Sequence, residues 1–258
     1  MLKTLETGTI HLLRGRLDPP GGVVRALEET LSAEERERAD RFRFDHLRRR
    51  HIVGWGTLRR ILGTLMDRAP GVLRFEREPG GKPYLAEPGA PSFNLSHSGE
   101  HLLVGVAAEG RLGVDLEEAR GFPDLEALAR RTFAEEEVAE LLALPSGARV
   151  GAFFRGWTRK EAFIKAVGGG LAIPLTAFAV RLSPMGGNAL RRLDPEVGEG
   201  PVEGWWVASL SGEDDPGASG DRSGSRRESG EGERDPEAGV AMAVAWDRVP
   251  RRIAFRSL

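Results

Sequence analysis

The chain has 258 residues, a formal net charge of −2 and no cysteine, so disulfides and thiolate metal sites are excluded. A chain this long buries roughly 70–75 % of the surface of its extended form, enough for one large or two small cores without an external staple. The near-zero charge argues against a protein that coats nucleic acid or anionic membrane. With no apolar run of the ~18 residues a membrane helix needs and no signal-like start, a cytoplasmic protein is expected.

Alternation over residues 7–13 predicts a strand that ends in the turn cluster Pro19-Pro20-Gly21-Gly22. Ser32 and Glu35 have the spacing of a capping box and open a charged helix that runs to residue 40. From Asp45, read as an N-cap, Leu47, Val53, Leu58, Ile61, Leu62 and Leu65 recur at helical spacing, which predicts a first long helix. A short strand over 72–75 leads into the loop Glu78-Pro79-Gly80-Gly81-Lys82-Pro83. Residues 92–98 and 101–107 alternate around Gly99 as a hairpin, and 111–118 is the next strand.

Helices follow over 125–130 and 135–144, then a second long helix over 150–167 that stops at Gly168-Gly169-Gly170. Strands are predicted over 176–182, 204–210 and 240–246. The order helix, long helix, strands thus occurs twice, which predicts an α+β chain of two similar halves, residues 1–110 and 111–258. Residues 211–239 carry Gly, Ser, Glu, Asp, Arg, Pro and Ala with no larger apolar side chain. Burial cannot offset the ordering entropy of such a segment, so a disordered insertion within a hairpin is expected there.

Of the 37 basic residues only four are lysine, namely Lys3, Lys82, Lys160 and Lys165. Where arginine fills nearly every cationic position, a retained lysine marks a place for a compact, strongly hydrated point charge. Two of them stand in Trp157-Thr158-Arg159-Lys160-Glu161-Ala162-Phe163-Ile164-Lys165. Glu161 is four residues after Trp157 and four before Lys165, so these three share a helix face. The aromatic run Phe153, Phe154, Trp157 and Phe163 predicts that this helix is buried, where paired charges are costly unless they serve a site.

Asp115 and Glu117 are two apart on a predicted strand, so both carboxylates point to one face while Val114 and Leu116 pack on the other. Like charges this close raise the proton affinity of at least one of them unless a cation lies between. Hard oxygen donors without His or Cys suit Mg²⁺ or Mn²⁺ better than Zn²⁺. An exposed acidic strand face and a surface Glu-Lys pair fit the same spacings. His97, after Asn94-Leu95-Ser96 near a strand end, is placed to reach a ligand from a rigid element. Arg36, Arg38, Arg41, Arg43, Arg48, Arg49, Arg50, Arg59 and Arg60 make a basic stripe, which suits either phosphate contacts or a solvated helix face. The pattern as a whole suggests a metal-assisted site for a phosphorylated ligand. A metal-dependent phosphodiesterase and an arginine-rich nucleic-acid-binding module are the rival readings.

Gly113-Val114-Asp115-Leu116-Glu117, followed about 40 residues later by the Trp157 to Lys165 segment, resembles the paired signature of the 4′-phosphopantetheinyl transferases of the monomeric, two-halved Sfp type. Gly81-Lys82-Pro83 and Phe93-Asn94-Leu95-Ser96-His97-Ser98 fall in that family's order. The resemblance implies two halves that each pack a long helix on a small, mainly antiparallel sheet. It implies transfer of the 4′-phosphopantetheine arm of coenzyme A to a serine of an acyl or peptidyl carrier protein, with release of adenosine 3′,5′-bisphosphate. Asp115, Glu117 and Glu161 would bind Mg²⁺, and Lys165 would stabilise the pyrophosphate. Ser96, His97, Lys82, Lys160, Arg38 and Arg50 would hold the remaining phosphates and the nucleotide. Glu161, or a water it shares with the metal, is the candidate base. Glu35 stands where the family commonly has a basic residue.

Overall fold

Strand β1 (Thr9–Arg16) is the hinge of the architecture, because its two faces serve two different cores. The structure, a computed structural model, describes residues 4–184, 187–197, 201–210 and 240–258, so the expected insertion at 211–239 lies outside the described residues. After β1 come helices α1 (Gly21–Glu28), α2 (Ala33–Asp40) and α3 (Asp45–Leu65), then strands β2 (Phe75–Arg77), β3 (Pro83–Leu85), β4 (Ser92–Ser98) and β5 (His101–Ala107). The second half begins with β6 (Leu112–Glu118), α4 (Leu125–Thr132), α5 (Glu135–Ala143) and α6 (Ser146–Val167). It continues through β7 (Phe178–Val180), β8 (Leu190–Leu193), β9 (Trp206–Leu210) and β10 (Val240–Trp246) to β11 (Arg252–Ser257).

In the first half a sheet of order β11-β1-β5-β4 packs against α3, whose Ile52, Val53, Leu58, Ile61 and Leu62 meet Leu13, Leu102 and Val104. In the second half α6 lies across a sheet of order β6-β10-β9, and Ala162, Phe163 and Ala166 meet Val207, Ala243 and Ala245. Both sheets turn their other faces into a shared core of Ile10, Leu12, Leu103, Val114, Leu116, Met242 and Val244. Each half is therefore one long helix on a small sheet, antiparallel except for one pair, and the chain is α+β with two similar halves. The exceptional pair is β11 with β1, which run parallel from Thr9 opposite Arg252 to Arg14 opposite Ser257. The last strand, which the sequence division assigns to the second half, thus completes the sheet of the first.

Two elements differ from the sequence expectation for local reasons. Pro19-Pro20-Gly21-Gly22 is not only a turn, because Pro20 caps the start of α1, which buries Val24 and Leu27 against α3. Pro beside a helix start loses no hydrogen bond, since the first N–H groups have no intrahelical acceptor. Residues 72–75 are a 3₁₀ turn (Pro70–Val72) followed by the late start of β2.

The two halves join edge to edge where β4 faces β6. These strands belong to separate sheets, and alternate side chains of β4 serve β6 in place of a backbone ladder. Asn94 Oδ1 accepts the Val114 N–H at 2.9 Å, and Ser98 Oγ accepts the Glu118 N–H at 3.2 Å. Buried backbone donors need such partners, so the period-two spacing of Asn94, Ser96 and Ser98 sets the register of β6. Among the described residues no helix is long and apolar enough to cross a membrane.

Candidate functional site

β6 carries Asp115 and Glu117 on the side facing away from Val114 and Leu116, which are buried in the shared core. α6 crosses β6 at Gly113, where an added Cβ would lie 2.0 Å from the Ala162 carbonyl oxygen and 2.4 Å from the Ala166 nitrogen. Only glycine permits that approach, and it brings Glu161 and Lys165 to the carboxylates of β6. α6 ends at Gly168 with φ 81°, the left-handed cap expected from the glycine run.

Lys165 Nζ lies 2.6 Å from Asp115 Oδ1 and 3.0 Å from Ser96 Oγ, and Ser96 donates to the same Asp115 oxygen at 2.8 Å. Asp115 is 3 % exposed, and its second oxygen, Oδ2, is buried with no hydrogen-bond partner. Ser98 donates to Glu117 Oε2 at 2.7 Å. Burial pushes both Glu117 and Glu161 above the usual carboxylate range, and the Asp115 charge pushes both the same way. Lys165 opposes the rise at each. The site thus holds three carboxylates that repel one another, one lysine and one orphaned buried oxygen. Among the described residues, however, no three carboxylate or imidazole groups stand close enough to enclose an ion, so the expected set of Asp115, Glu117 and Glu161 is not a closed cage.

A cationic flank comes from the first half. Burial, then Lys165 and Arg50, hold the His97 imidazole below its ordinary range. His51 is also lowered, chiefly by burial, with Arg38 and His97 adding to it. Arg50 binds Glu100 Oε1 at 2.6 Å through Nη2 and leaves its Nε buried without a partner. Arg38 is exposed on α2. Arg38, Arg50 and Lys165 carry positive charge beside the carboxylates, and the imidazoles of His51 and His97, kept neutral, stand among them, a setting that suits a polyanion.

One expected phosphate ligand, Lys160, lies elsewhere. Lys160 is fully buried and points away from the site, with Nζ 2.8 Å from Glu137 Oε2 and bonded to the carbonyls of Leu175 (2.8 Å) and Phe178 (2.6 Å). Its neighbourhood is a pocket between α5, α6 and β7 that a phosphate does not reach. Lys82 donates to the carbonyls of Leu112 (3.0 Å) and Ala166 (3.1 Å), tying the glycine loop of the first half to the start of β6 and the end of α6. Burial lowers it to about 8. Glu35, the departure from the family pattern, is also structural. It closes the capping box with Ser32 and grips the buried Arg59 through both oxygens, at 2.6 and 3.0 Å.

Sequence reasoning passed over Glu137, Asn94 and Ser98. The alternation of Asn94, Ser96 and Ser98 was a readable signal, because three small polar residues on one strand face need polar partners. Glu137 gave none, since it stands third in a run of three glutamates at a helix start.

The family model described as 4′-phosphopantetheinyl transferase superfamily matches residues 111–207, and the one described as 4′-phosphopantetheinyl transferase, N-terminal, matches residues 19–111. The chain is 42 % identical over 184 residues to the 4′-phosphopantetheinyl transferase HetI of Nostoc sp., covering 70 % of this chain and 77 % of that protein. It is 37 % identical over 174 residues to psf-1 of Bacillus pumilus, covering 67 % and 73 %. To Sfp of Bacillus subtilis it is 31 % identical over 152 residues, covering 59 % and 66 %.

Proposed function

Since the chain belongs to the 4′-phosphopantetheinyl transferase family, we propose that it transfers the 4′-phosphopantetheine arm of coenzyme A to a serine of an acyl or peptidyl carrier protein, releasing adenosine 3′,5′-bisphosphate. Enzymes of this family use coenzyme A and act on carrier proteins. The observation that carries the reading is the Asp115, Ser96 and Lys165 cluster, with Glu117 and Glu161 beside it and with Arg50 and the neutral imidazole of His97 near Lys165.

The donors are hard oxygens, the chemistry that suits a hard divalent cation, although the three carboxylates do not form a closed cage. Asp115 Oδ2 is buried and unpartnered, and burial, with the Asp115 charge adding to it, raises both Glu117 and Glu161. Asp115, Glu117 and Glu161 would hold Mg²⁺, or Mn²⁺ in its place. When bound, the ion neutralises charge on the coenzyme A pyrophosphate.

The chain's own residues account for the remainder. Lys165 stands against the pyrophosphate, and His97, Arg38 and Arg50 hold the other phosphates. Ser96 orients Lys165 and Asp115 by bonding to both. The carrier serine oxygen forms a bond to the arm's phosphorus as the bond from that phosphorus to the bisphosphate oxygen breaks, and the serine proton passes to Glu161. Lys160 acts through the fold, and Lys82, partly exposed beside β6 and α6, joins the residues that hold the phosphates. One chain suffices, because Ser96, His97 and Arg50 come from the first half and Asp115, Glu161 and Lys165 from the second.

The direct test incubates the protein with coenzyme A, Mg²⁺ and an unmodified carrier protein and weighs the carrier for the added arm. Cleavage of coenzyme A at equal rate with and without carrier would replace this reading with a phosphodiesterase.

A further inference from the structure

The last residue of β4, Ser98, reaches across the seam between the halves and has no part in the proposed chemistry. It donates its hydroxyl proton to Glu117 Oε2 at 2.7 Å, while the Glu118 N–H donates to Ser98 Oγ at 3.2 Å. With that N–H directed at the serine oxygen, the hydroxyl's own proton is committed to the carboxylate. The turn beyond it is made by Gly99 at φ 55°, in the left-handed region that favours glycine. His101, opposite Ser98 in the hairpin, then has Nε2 3.8 Å from Glu118 Oε1. Glu117 and Glu118 are both held from the first half.

Each carboxylate of β6 therefore has one oxygen engaged and one to offer. Asp115 Oδ1 already takes two donors, Ser96 Oγ at 2.8 Å and Lys165 Nζ at 2.6 Å, which leaves the buried, unpartnered Oδ2. Glu117 Oε2 takes Ser98, which leaves Oε1. To grip a cation with both oxygens, Glu117 would have to share Oε2 with the serine or release it. Mg²⁺ accepts single-oxygen ligands at about 2.0–2.1 Å and fills its remaining octahedral positions with water and substrate phosphate oxygens. Ca²⁺ takes about 6–8 oxygens at about 2.3–2.6 Å, commonly two of them from one carboxylate. An open pair of single-oxygen carboxylates suits the smaller ion.

We propose that Ser98 is a positioning residue that makes Glu117 a single-oxygen ligand and so sets the preference of the site for Mg²⁺ or Mn²⁺ over Ca²⁺, an inference that rests on the metal-assisted reading of the same site. Its effect passes through Glu117. A partner bonded to a metal ligand fixes that ligand's direction, and losing it typically costs about 10–100-fold in metal affinity. Without the hydroxyl, Glu117 Oε2 is free to turn toward the ion, and the two-oxygen grip that suits the larger cation opens to it.

The test titrates Mn²⁺ into the full chain with coenzyme A and no carrier protein, follows unbound Mn²⁺ by electron paramagnetic resonance, and then displaces the bound Mn²⁺ with Ca²⁺. Ser98→Ala is expected to weaken Mn²⁺ binding about tenfold while Ca²⁺ binding changes less than about twofold, so that the preference for Mn²⁺ shrinks by roughly tenfold. Ser98→Thr keeps the hydroxyl and should restore the preference to within about twofold. Ser98→Cys offers a weaker donor of similar shape and should shift the preference in the same direction as alanine. It carries the test should the alanine variant not fold. Loss of a merely structural contact would weaken both ions alike and leave their ratio unmoved. A ratio unmoved in the alanine and cysteine variants, with Mn²⁺ still bound by the unsubstituted protein, overturns the role of Ser98 and leaves the metal reading standing. An unsubstituted protein that binds no Mn²⁺ beside coenzyme A overturns both.

Discussion

Lys160 and Glu161 are neighbours on α6 whose side chains serve two different faces of the helix, about 100° apart. Lys160 Nζ lies 2.8 Å from Glu137 Oε2 in a pocket where both side chains are fully buried, while Glu161 faces Asp115 and Glu117. The first contact fixes the roll of α6, and the second uses it.

Breaking the buried pair from one side leaves an uncompensated charge. Lys160→Met should lower unfolding stability by about 3–5 kcal/mol, the usual cost of orphaning a buried ion. Lys160→Met combined with Glu137→Leu should recover a large part of that loss, since two apolar side chains leave no orphan. Urea unfolding of the two variants measures both. A double variant no more stable than the single one would show that the pair is not acting as a unit.

Glu161→Gln keeps the shape of the side chain and removes its basicity. Turnover in carrier loading should fall roughly 10²–10⁴-fold, the span of a lost general base. Coenzyme A binding should change far less, because the phosphates are held by other residues. Single-turnover loading alongside calorimetric binding separates the two effects, and wild-type turnover would remove Glu161 from the role of base.

Chelation of divalent cations should stop loading, and added Mg²⁺ or Mn²⁺ should restore it. Asp115→Asn should not be rescued by added Mg²⁺ at any practical concentration, because it removes the anion at the centre of the cluster and leaves Lys165 without its partner at 2.6 Å. Loading by Asp115→Asn that saturates with Mg²⁺ at the unsubstituted rate would contradict this placement.

His11, on β1, is buried with both ring nitrogens unpartnered, and burial together with Arg256 and Arg252 lowers it below its ordinary 6.5. A depressed imidazole is neutral in the folded chain and charged more readily in the unfolded one. Its contribution to stability is therefore complete above about 6.5 and is lost as pH falls below that value. His11→Leu should shrink the acid-side loss of stability and be neutral or stabilising at pH 7, because it removes two unsatisfied polar atoms. Denaturation midpoints at pH 7.5 and 5.5 test the sign, and an identical drop in both proteins would refute it.

Periodicity alone determined the hairpin of β4 and β5 around Gly99, the long helices α3 and α6, the shared face of Asp115 and Glu117, and the pairing of Glu161 with Lys165 on one stripe. These features depend on residues two to four apart, and backbone geometry sets their relations before any partner arrives. The direction of Lys160 was not available in the same way. It lies about 100° around the helix from Glu161, and whether that direction meets a ligand or a glutamate depends on where α5 packs. The two carbonyls that hold Lys82 belong to β6 and α6, and the strand that completes the first sheet, β11, comes from the opposite end of the chain. Only the packing of the halves decided these, because long-range pairing follows from complementary surfaces and loop closure rather than from local spacing.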